Sequence, residues 1–340
     1  MDISKEQLAV IEAPLDEKTI VMAAAASGKT FVLTERIRYL LRNGVKPEGI
    51  VGITFTNNAA AEMQERLGED FVEGMFLGTL HSYANMLLTS KGYDTTEIRD
   101  DEAFDELFEM IMMHPEVVRP VQYLLCDESQ DLNPQQFDFI TTIIDPAACL
   151  IVGDVRQSIY GFRQAVPKML LFLMRNEDYT VRELNQNYRN CMSVIEFSNY
   201  VLDKMKDKPK GIPIGMRKVR GRVKFIQSTE ILKTLRSDTN WEHWAILCRS
   251  NAEIARIMSD LEFANIPAIT FRQAQGDLTE LKDKMHQNAV KVLTIHSSKG
   301  LEFDKVIINS YFPHGAEENL RLCYVAITRA RDELYVCRKK

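Results

Sequence analysis

Long apolar runs are missing from this sequence. None approaches the roughly 20 residues that a helix needs to cross a bilayer, and the opening MDISKEQLAV lacks the apolar core of a secretory leader, so neither a membrane nor export is expected. Paired cysteines are missing too. Cys126, Cys149, Cys191, Cys248, Cys323 and Cys337 are scattered, none in a C-x-x-C pair, and most sit in strand-like apolar runs. That argues against a zinc or iron–sulfur site and for reduced, buried thiols in a cytoplasmic protein. Positive charge is not in excess either: 42 Lys and Arg face 48 Asp and Glu, so a polyanion must be met by a local basic or aromatic surface. Repeats and low-complexity segments are absent, and 340 residues suggest about two domains.

Glycine is missing where a tight loop would use it. In TIVMAAAASGKT (Thr19 to Thr30), Ile20, Val21 and Met22 read as a buried strand, and Leu33, Ile37, Leu40 and Leu41 then recur at helical spacing. Strand, small-residue loop and helix in that order make a phosphate-binding loop. Backbone N–H groups of Ala25, Ala26, Ser27 and Gly28 and the helix N-terminus face the phosphates, Lys29 reaches the β/γ oxygens, and Thr30 is placed to ligate magnesium. Positions 23 to 26 are all alanine, whereas such loops usually carry glycine where the backbone must bend sharply or take φ > 0, and Ala26, directly before Ser27 and Gly28, is the substitution of most consequence. It either fits through an altered turn or weakens nucleotide binding.

Other strand ends carry polar turns, as ligand-binding α/β sheets do. Ser4 is a candidate N-cap for a helix from Ile3 to Val10, where Gln7 has the two-way amide that an adenine edge requires, although alone it reads as a surface glutamine. The strand Ile50–Phe55 runs into TFTNNAAAEM, with Asn57 or Asn58 as the cap of the next helix; Phe55 is either core or an exposed platform for a base. A similar turn, GTLHSY, holds Thr79 and His81. Thr89 to Pro120 reads as an acidic, solvated helical segment. YLLCD ends in DESQD, where Asp127 suits magnesium and Glu128 the polarisation of an attacking water, against an acidic turn that merely caps a helix. CLIVGD leads into VRQSIYGFRQA, which gathers Gln157, Tyr160, Phe162 and Arg163. Aromatic and arginine side chains together suit single-strand stacking, or the two rings fill the core of a following helix.

A second α/β unit opens near Tyr179, with TVRELNQNYRN carrying Tyr188 and Arg189. Lys204 to Lys224 holds nine Lys or Arg and one acid, and Gly211, Pro213 and Gly215 mark it as a loop, either solvated or in contact with a phosphate backbone. WAILCRS, VKVLTIH, KVIIN and ELYVC read as further strands, with a helix over Ala252 to Ala264. The parse is two sheets of βα units, 1–182 and 183–340.

QLAV, AAAASGKT, TFTNNAAAEM, GTLHS, CDESQD, VGDVRQSIYGFR, QNYR, HSSKGLEF and YVAITRARDELY resemble, in sequence and order, the motifs of superfamily 1 DNA helicases of the UvrD/Rep type. The phosphate loop and VGDVRQSIYGFR look closest to the AddA branch. The resemblance implies two RecA-like domains with ATP in the cleft between them, and ATP-driven movement along single-stranded DNA or single/double-strand junctions with 3′ to 5′ polarity. It assigns Gln7 and Tyr188 to adenine, Lys29 and Thr30 to phosphate and magnesium, Asp127 to magnesium, and Glu128 to the catalytic base. Gln157 would sense the γ-phosphate, Arg189 and Arg329 would act as arginine fingers, and Glu302 would lie near the nucleotide. Phe55, Thr56, Asn57, Thr79, His81, Tyr160, Phe162, Arg163 and His296 would line the DNA track. Three departures stand out. Ala26 replaces a glycine, Asn58 stands where lysine is common, and 89–120 and 272–288 stand in place of large accessory domains. The chain also ends at Lys340, before the hairpin that relatives use as a strand-separating pin. The expectation is a motor core that unwinds weakly alone and needs a protein partner for duplex handling. The alternative is a nucleotide-gated DNA-binding or adaptor subunit with little catalysis.

Overall fold

The apolar runs form strands that pair in parallel throughout two sheets. The computed structural model describes residues 3–96, 98, 104–160, 167–206, 211–270, 278–310 and 316–338. They divide into two units, Met1–Ala23 with Gly28–Leu184, and Ala24–Ser27 with Asn185–Lys340.

The first unit contains β1 (Lys18–Ala23), β2 (Ile50–Thr54), β3 (Phe76–Thr79), β4 (Tyr123–Cys126), β5 (Ala148–Gly153) and β6 (Thr180–Leu184), in the order β3-β2-β4-β5-β1-β6. Every pairing is parallel. Thr180–Leu184 therefore completes the first sheet beside β1, and the second unit starts after it. The inner strands lack polar alternation because both faces are covered. On β1, Ile20 and Met22 enter one hydrophobic cluster while Val21 and Ala23 enter the other. The second cluster takes the apolar stripes of α1 (Lys5–Ile11) and α2 (Lys29–Arg42), through Val10, Ile11, Val32, Leu33, Ile37 and Leu40.

Two helices depart from expectation. Thr56, not Asn57 or Asn58, caps α3 (Asn57–Leu67): its side chain accepts from Ala59 N, because the extended backbone of an N-cap falls one residue earlier. The acidic segment after α4 (Leu80–Thr89) is not simply solvated. Its helix α5 (Phe104–Met113) sends Leu107 and Ile111 into the first cluster, where Phe108 and Met110 also pack. Glu106 and Glu109 are exposed while Leu107 and Ile111, at helical spacing, are buried.

The second unit opens with the short strands β7 (Gln186–Asn187) and β8 (Ile214–Gly215), which pair with each other. Its main sheet contains β9 (Arg222–Gln227), β10 (Trp244–Cys248), β11 (Ala268–Ile269), β12 (Val290–Thr294), β13 (Phe303–Ile308) and β14 (Ala330–Arg338), in the order β11-β12-β10-β13-β14-β9. The basic stretch read as a loop supplies β8 and the start of β9, and two of its cations are committed internally: Arg217 to Asp332 and Arg220 to Glu196, each at 2.7 Å. Lys208 and Lys210 lie outside the described residues. All six cysteines are buried and unpaired with one another. No helix among the described residues is long and apolar enough to cross a membrane.

Lys291, on β12, is a buried cation with an unusual environment. Its Nζ donates to the carbonyls of Glu242 (2.7 Å) and Gln287 (2.8 Å), and burial lowers its pKa from 10.5 to about 8. Between those values the unfolded chain holds a proton that the folded chain does not, so this group adds stability as pH rises through the window. Below pH 8 it is charged in both states and the desolvation penalty is present in full. Melting curves of the wild type and Lys291→Met should therefore converge or diverge with pH between 8 and 10.5, the wild type gaining relative to the variant. A constant difference across that range would contradict the assignment.

Candidate active site

Five strands of the first sheet end in turns that carry candidate residues: the 24–28 loop after β1, Phe55–Asn57 after β2, Thr79–His81 after β3, Asp127–Asp131 after β4 and Asp154–Ser158 after β5. All lie at the C-terminal edge of a parallel sheet, where strand ends splay and helix N-termini face solvent.

Gly28 takes φ +83 at the start of α2, and no side chain caps that helix, so its first N–H groups are available to an anion. A Cβ at Gly28 would lie 2.9 Å from Gln7 Nε2. Gln7 is buried, not a surface residue: its Oε1 accepts from Ser4 N at 3.1 Å while its N–H donates to Ser4 Oγ at 3.2 Å, a capping box that fixes it beside the loop. Arg36 secures the chain behind it, donating to the carbonyls of Ile11, Ala13 and Pro14 and to Tyr123 Oη. Ala25 and Ser27 are buried, and Ala26 adopts φ +57. For alanine that left-handed conformation costs roughly 1–2 kcal/mol. Ala26→Gly should therefore stabilise the protein by about 0.5–1 kcal/mol in a denaturant titration, the gain being trimmed by glycine's larger unfolded-state entropy. A loss of stability would mean that the methyl group makes a contact worth more than the strain.

Lys29 Nζ forms a 2.7 Å ion pair with Glu128 Oε1. Burial disfavours its ammonium, but Glu128, Asp127 and Asp154 outweigh that and hold its pKa above the ordinary lysine value. Asp127 Oδ1 accepts from Glu128 N at 2.8 Å. Gln157 is buried, with Nε2 donating to Asp154 Oδ2 at 2.7 Å, and Asp154 Oδ1 also pairs with Arg156 Nε. Lys29, Asp127, Glu128 and Gln157 are thus brought into one polar network in the first unit. Thr30 follows Lys29 on α2, half-buried.

Phe55 and Tyr160 stack on each other, ring centroids 5.2 Å apart and planes 26° apart, both half-buried. Thr56 and Thr79 spend their hydroxyls as N-caps, while Asn57 is exposed and His81 half-buried. Phe162 and Arg163 lie outside the described residues.

In the second unit, Tyr188, Arg189, Glu302 and Arg329 gather near the N-terminal ends of β13 and β14, whereas His296 follows the C-terminal end of β12. Arg189 Nε donates to Glu302 Oε2 at 2.5 Å and Nη1 to Thr328 O at 3.3 Å. Arg329 is 2% exposed, its guanidinium donating to Val325 O, Leu301 O and Thr328 Oγ1. Tyr188 Oη donates to Gln186 Oε1. The reading of single residues missed the asparagines that shape this turn. Asn187 Oδ1 accepts from the backbone of Arg189 and Asn190, and its Nδ2 donates to Ala25 O at 2.9 Å. Their trace in the sequence is the pair of asparagines in QNYRN.

A family model described as the UvrD/REP helicase N-terminal domain matches residues 3–115 and 106–178, more than half the chain. The chain belongs to the UvrD/REP helicase family. A second model, the UvrD-like helicase C-terminal domain, matches residues 274–340. The two parallel-sheet units are accordingly the RecA-like domains of a UvrD/REP protein. Relatives include a Mycoplasma pneumoniae protein named "Probable DNA helicase", 24% identical over 441 residues that take in 93% of this chain and 80% of that one. The ATP-dependent DNA helicase PcrA of Staphylococcus epidermidis is 28% identical over 388 residues, 82% of this chain and 52% of PcrA. PcrA of Staphylococcus aureus is 26% identical over 385 residues, with the same coverage. The chain spans about half the length of these PcrA relatives. Each alignment is longer than this chain's 340 residues, so each relative carries internal segments that this UvrD/REP chain lacks.

Proposed function

We propose that this protein is an ATP-dependent DNA motor of the UvrD/PcrA type, hydrolysing ATP in response to single-stranded DNA and moving 3′ to 5′ along it. The observation that carries the reading is the Lys29–Glu128 pair beside the uncapped N-terminus of α2. A phosphate-binding cation and a carboxylate base at the ends of parallel strands are the parts that hydrolysis of a nucleoside triphosphate requires.

The residues fit ATP with magnesium. Backbone N–H groups from Ala25 to Thr30 would bind the phosphates, with Gln7 and Tyr188 at adenine and Glu302 near the nucleotide. Thr30 and Asp127 would hold the ion. Among the described residues no cluster of three or more His, Cys, Asp or Glu stands ready to cage a metal, so its other ligands would be phosphate oxygens and water, the usual set for magnesium. When bound, that ion supplies positive charge to the phosphate oxygens. Glu128 accepts the proton of the attacking water as the bond from the γ-phosphorus to the leaving oxygen breaks, and Lys29 neutralises charge on the β/γ oxygens. Gln157 faces the γ-phosphate, and Arg189 and Arg329 add positive charge in the transition state. Because Arg329 also makes internal hydrogen bonds, the effect of Arg329→Ala on turnover must be read beside its melting temperature.

The stacked Phe55–Tyr160 pair is proposed as the base platform, and Thr56, Asn57, Thr79, His81, Phe162, Arg163 and His296 are proposed as further DNA contacts. Tyr160→Ala should weaken binding of a single-stranded oligonucleotide by ~1–3 kcal/mol with little dependence on sequence. Unchanged anisotropy titrations would return Tyr160 and Phe55 to the core.

Unwinding is proposed to be weak. Each base-pair step costs ~1.4 kcal/mol of stacking on average, and the internal segments that relatives insert are missing here. Efficient unwinding would then need a partner that supplies duplex handling, in the cytoplasm where reduced thiols persist. A second reading, a nucleotide-gated DNA-binding subunit with little turnover, is favoured by the strained Ala26. The test is displacement of streptavidin from one end of a biotinylated single strand, beside a duplex-length series with a 3′ tail. ATP-dependent release from the 5′ end, with opening of only short duplexes, is expected. Release from the 3′ end would reverse the polarity, and long duplexes opened by a monomer would refute weak unwinding.

A further inference from the structure

Glu128 is held in a backbone state that side-chain-bearing residues rarely adopt, φ +50. Such conformations persist where the surroundings over-determine them. Asp127 Oδ1 accepts from Glu128 N, and Asp131 N donates to Glu128 O at 3.0 Å. The side chain is fixed from two sides, by Lys29 on Oε1 and by Gln130 Nε2 on Oε2.

Gln130 is fully buried, and the other end of its amide faces a different turn: Oε1 accepts from Asp154 N at 2.8 Å. Asp154, also fully buried, orients Gln157 through Oδ2 and Arg156 through Oδ1. Two serine hydroxyls reinforce the link, Ser158 Oγ donating to Gln130 O at 3.1 Å and Ser129 Oγ to Val152 O at 2.9 Å. The two turns approach this closely only because Gly153 lacks a side chain. A Cβ there would lie 2.5 Å from Ser129 Oγ and 3.0 Å from Gln130 Oε1.

We propose that Gln130 is a positioning residue that ties Glu128 to the Asp154–Gln157 turn, so that the base and the amide facing the γ-phosphate keep one fixed separation. The proposal rests on the ATPase reading and deepens it. An amide is the group the position requires, because it donates to a carboxylate at one end and accepts from a backbone N–H at the other. A carboxylate can only accept and would face Glu128 and Asp131, leucine does neither, and asparagine is one methylene short. Gln130 is placed to contact the base rather than the substrate, and it acts through Glu128 and Asp154.

The test is steady-state ATP hydrolysis, with single-stranded DNA present, by the full chain and by Gln130→Leu, Gln130→Glu and Gly153→Ala, alongside titration with a fluorescent ATP analogue. A displacement of the order of 1 Å at a reacting group costs ~10²-fold. Gln130→Leu and Gly153→Ala are accordingly expected to lose roughly 10- to 100-fold in kcat, with KM for ATP and analogue affinity within about twofold of the wild type. Gln130→Glu preserves size and the acceptor for Asp154 N, which keeps the test open if the leucine variant fails to fold. Its introduced carboxyl is a donor only when protonated, so its kcat relative to the wild type should rise as pH falls from about 8 to 6, the neighbouring carboxylates favouring protonation. A purely structural glutamine would give a flat ratio and a matching loss of nucleotide affinity, and either result overturns the proposal, as does full kcat in Gln130→Glu. A wild type that fails to hydrolyse ATP overturns the ATPase reading and the proposal together; an active wild type matched by the variants overturns the proposal alone.

Discussion

Glu128→Gln is expected to reduce ATP turnover by ~10²–10⁴-fold, the usual worth of a positioned general base, while nucleotide binding survives. The change replaces one carboxylate oxygen by an amide NH2, which costs the hydrogen bond from Gln130 Nε2, and leaves the loop, Thr30 and Asp127 in place. The remaining amide oxygen can still accept from Lys29, which now sits only 2.7 Å from the carboxylate. The variant should therefore retain an ATP analogue, measured by fluorescence titration, and turn it over slowly. Full turnover would remove Glu128 from the mechanism. Loss of binding with loss of turnover would instead make the residue part of the phosphate-binding framework through its pairing with Lys29.

Lys29→Ala is expected to be the most damaging substitution, because it acts on binding, turnover and stability together. Preorganised positive charge on a transferring phosphoryl group is worth ~10²–10³-fold in turnover, and the ground-state phosphates lose a contact as well. The folded protein also loses the cation that Glu128, Asp127 and Asp154 surround. Removing one partner of this partly buried pair leaves carboxylates uncompensated, which costs more than the pair itself contributed. The melting temperature of Lys29→Ala should fall at pH 7 and recover toward the wild type in acid, as protonation relieves the repulsion. Lys29→Arg preserves charge and should restore stability better than turnover. An unaltered melting curve for Lys29→Ala would mean that the carboxylates are solvated well enough to need no counter-charge.

Much of this architecture is legible in the sequence because parallel sheets write it plainly. Strands buried on both faces appear as uninterrupted apolar runs, and each is followed by the polar turn that its C-terminal end positions; TIVM before ASGKT and YLLC before DESQD are the clearest cases. What escapes local reading is whatever depends on contacts distant in the chain. The burial of Leu107 and Ile111 depends on how α5 packs against α4 and the first cluster, which the acidic residues around them do not report. Gln7 reads as exposed because its closeness to Gly28 is set by the fold, although its capping box with Ser4 is local. The basic stretch hid β8 and the start of β9, since two of its arginines meet Glu196 and Asp332 elsewhere in the chain. Gln130 was present within DESQD, but nothing nearby reveals that its amide spans to Asp154, 24 residues away. Neither local spacing nor composition reports that Arg329 spends its guanidinium on carbonyls of its own unit.

One nucleotide site, built on Lys29, Asp127 and Glu128, is expected to convert the presence of single-stranded DNA into ATP hydrolysis. Steady-state phosphate release by the full chain, with magnesium and with or without an unstructured oligodeoxythymidine, tests it most directly. Slow release alone, a strong rise with the oligonucleotide, and no rise in Glu128→Gln are expected. Hydrolysis that is absent, or equal with and without the strand, would contradict that expectation.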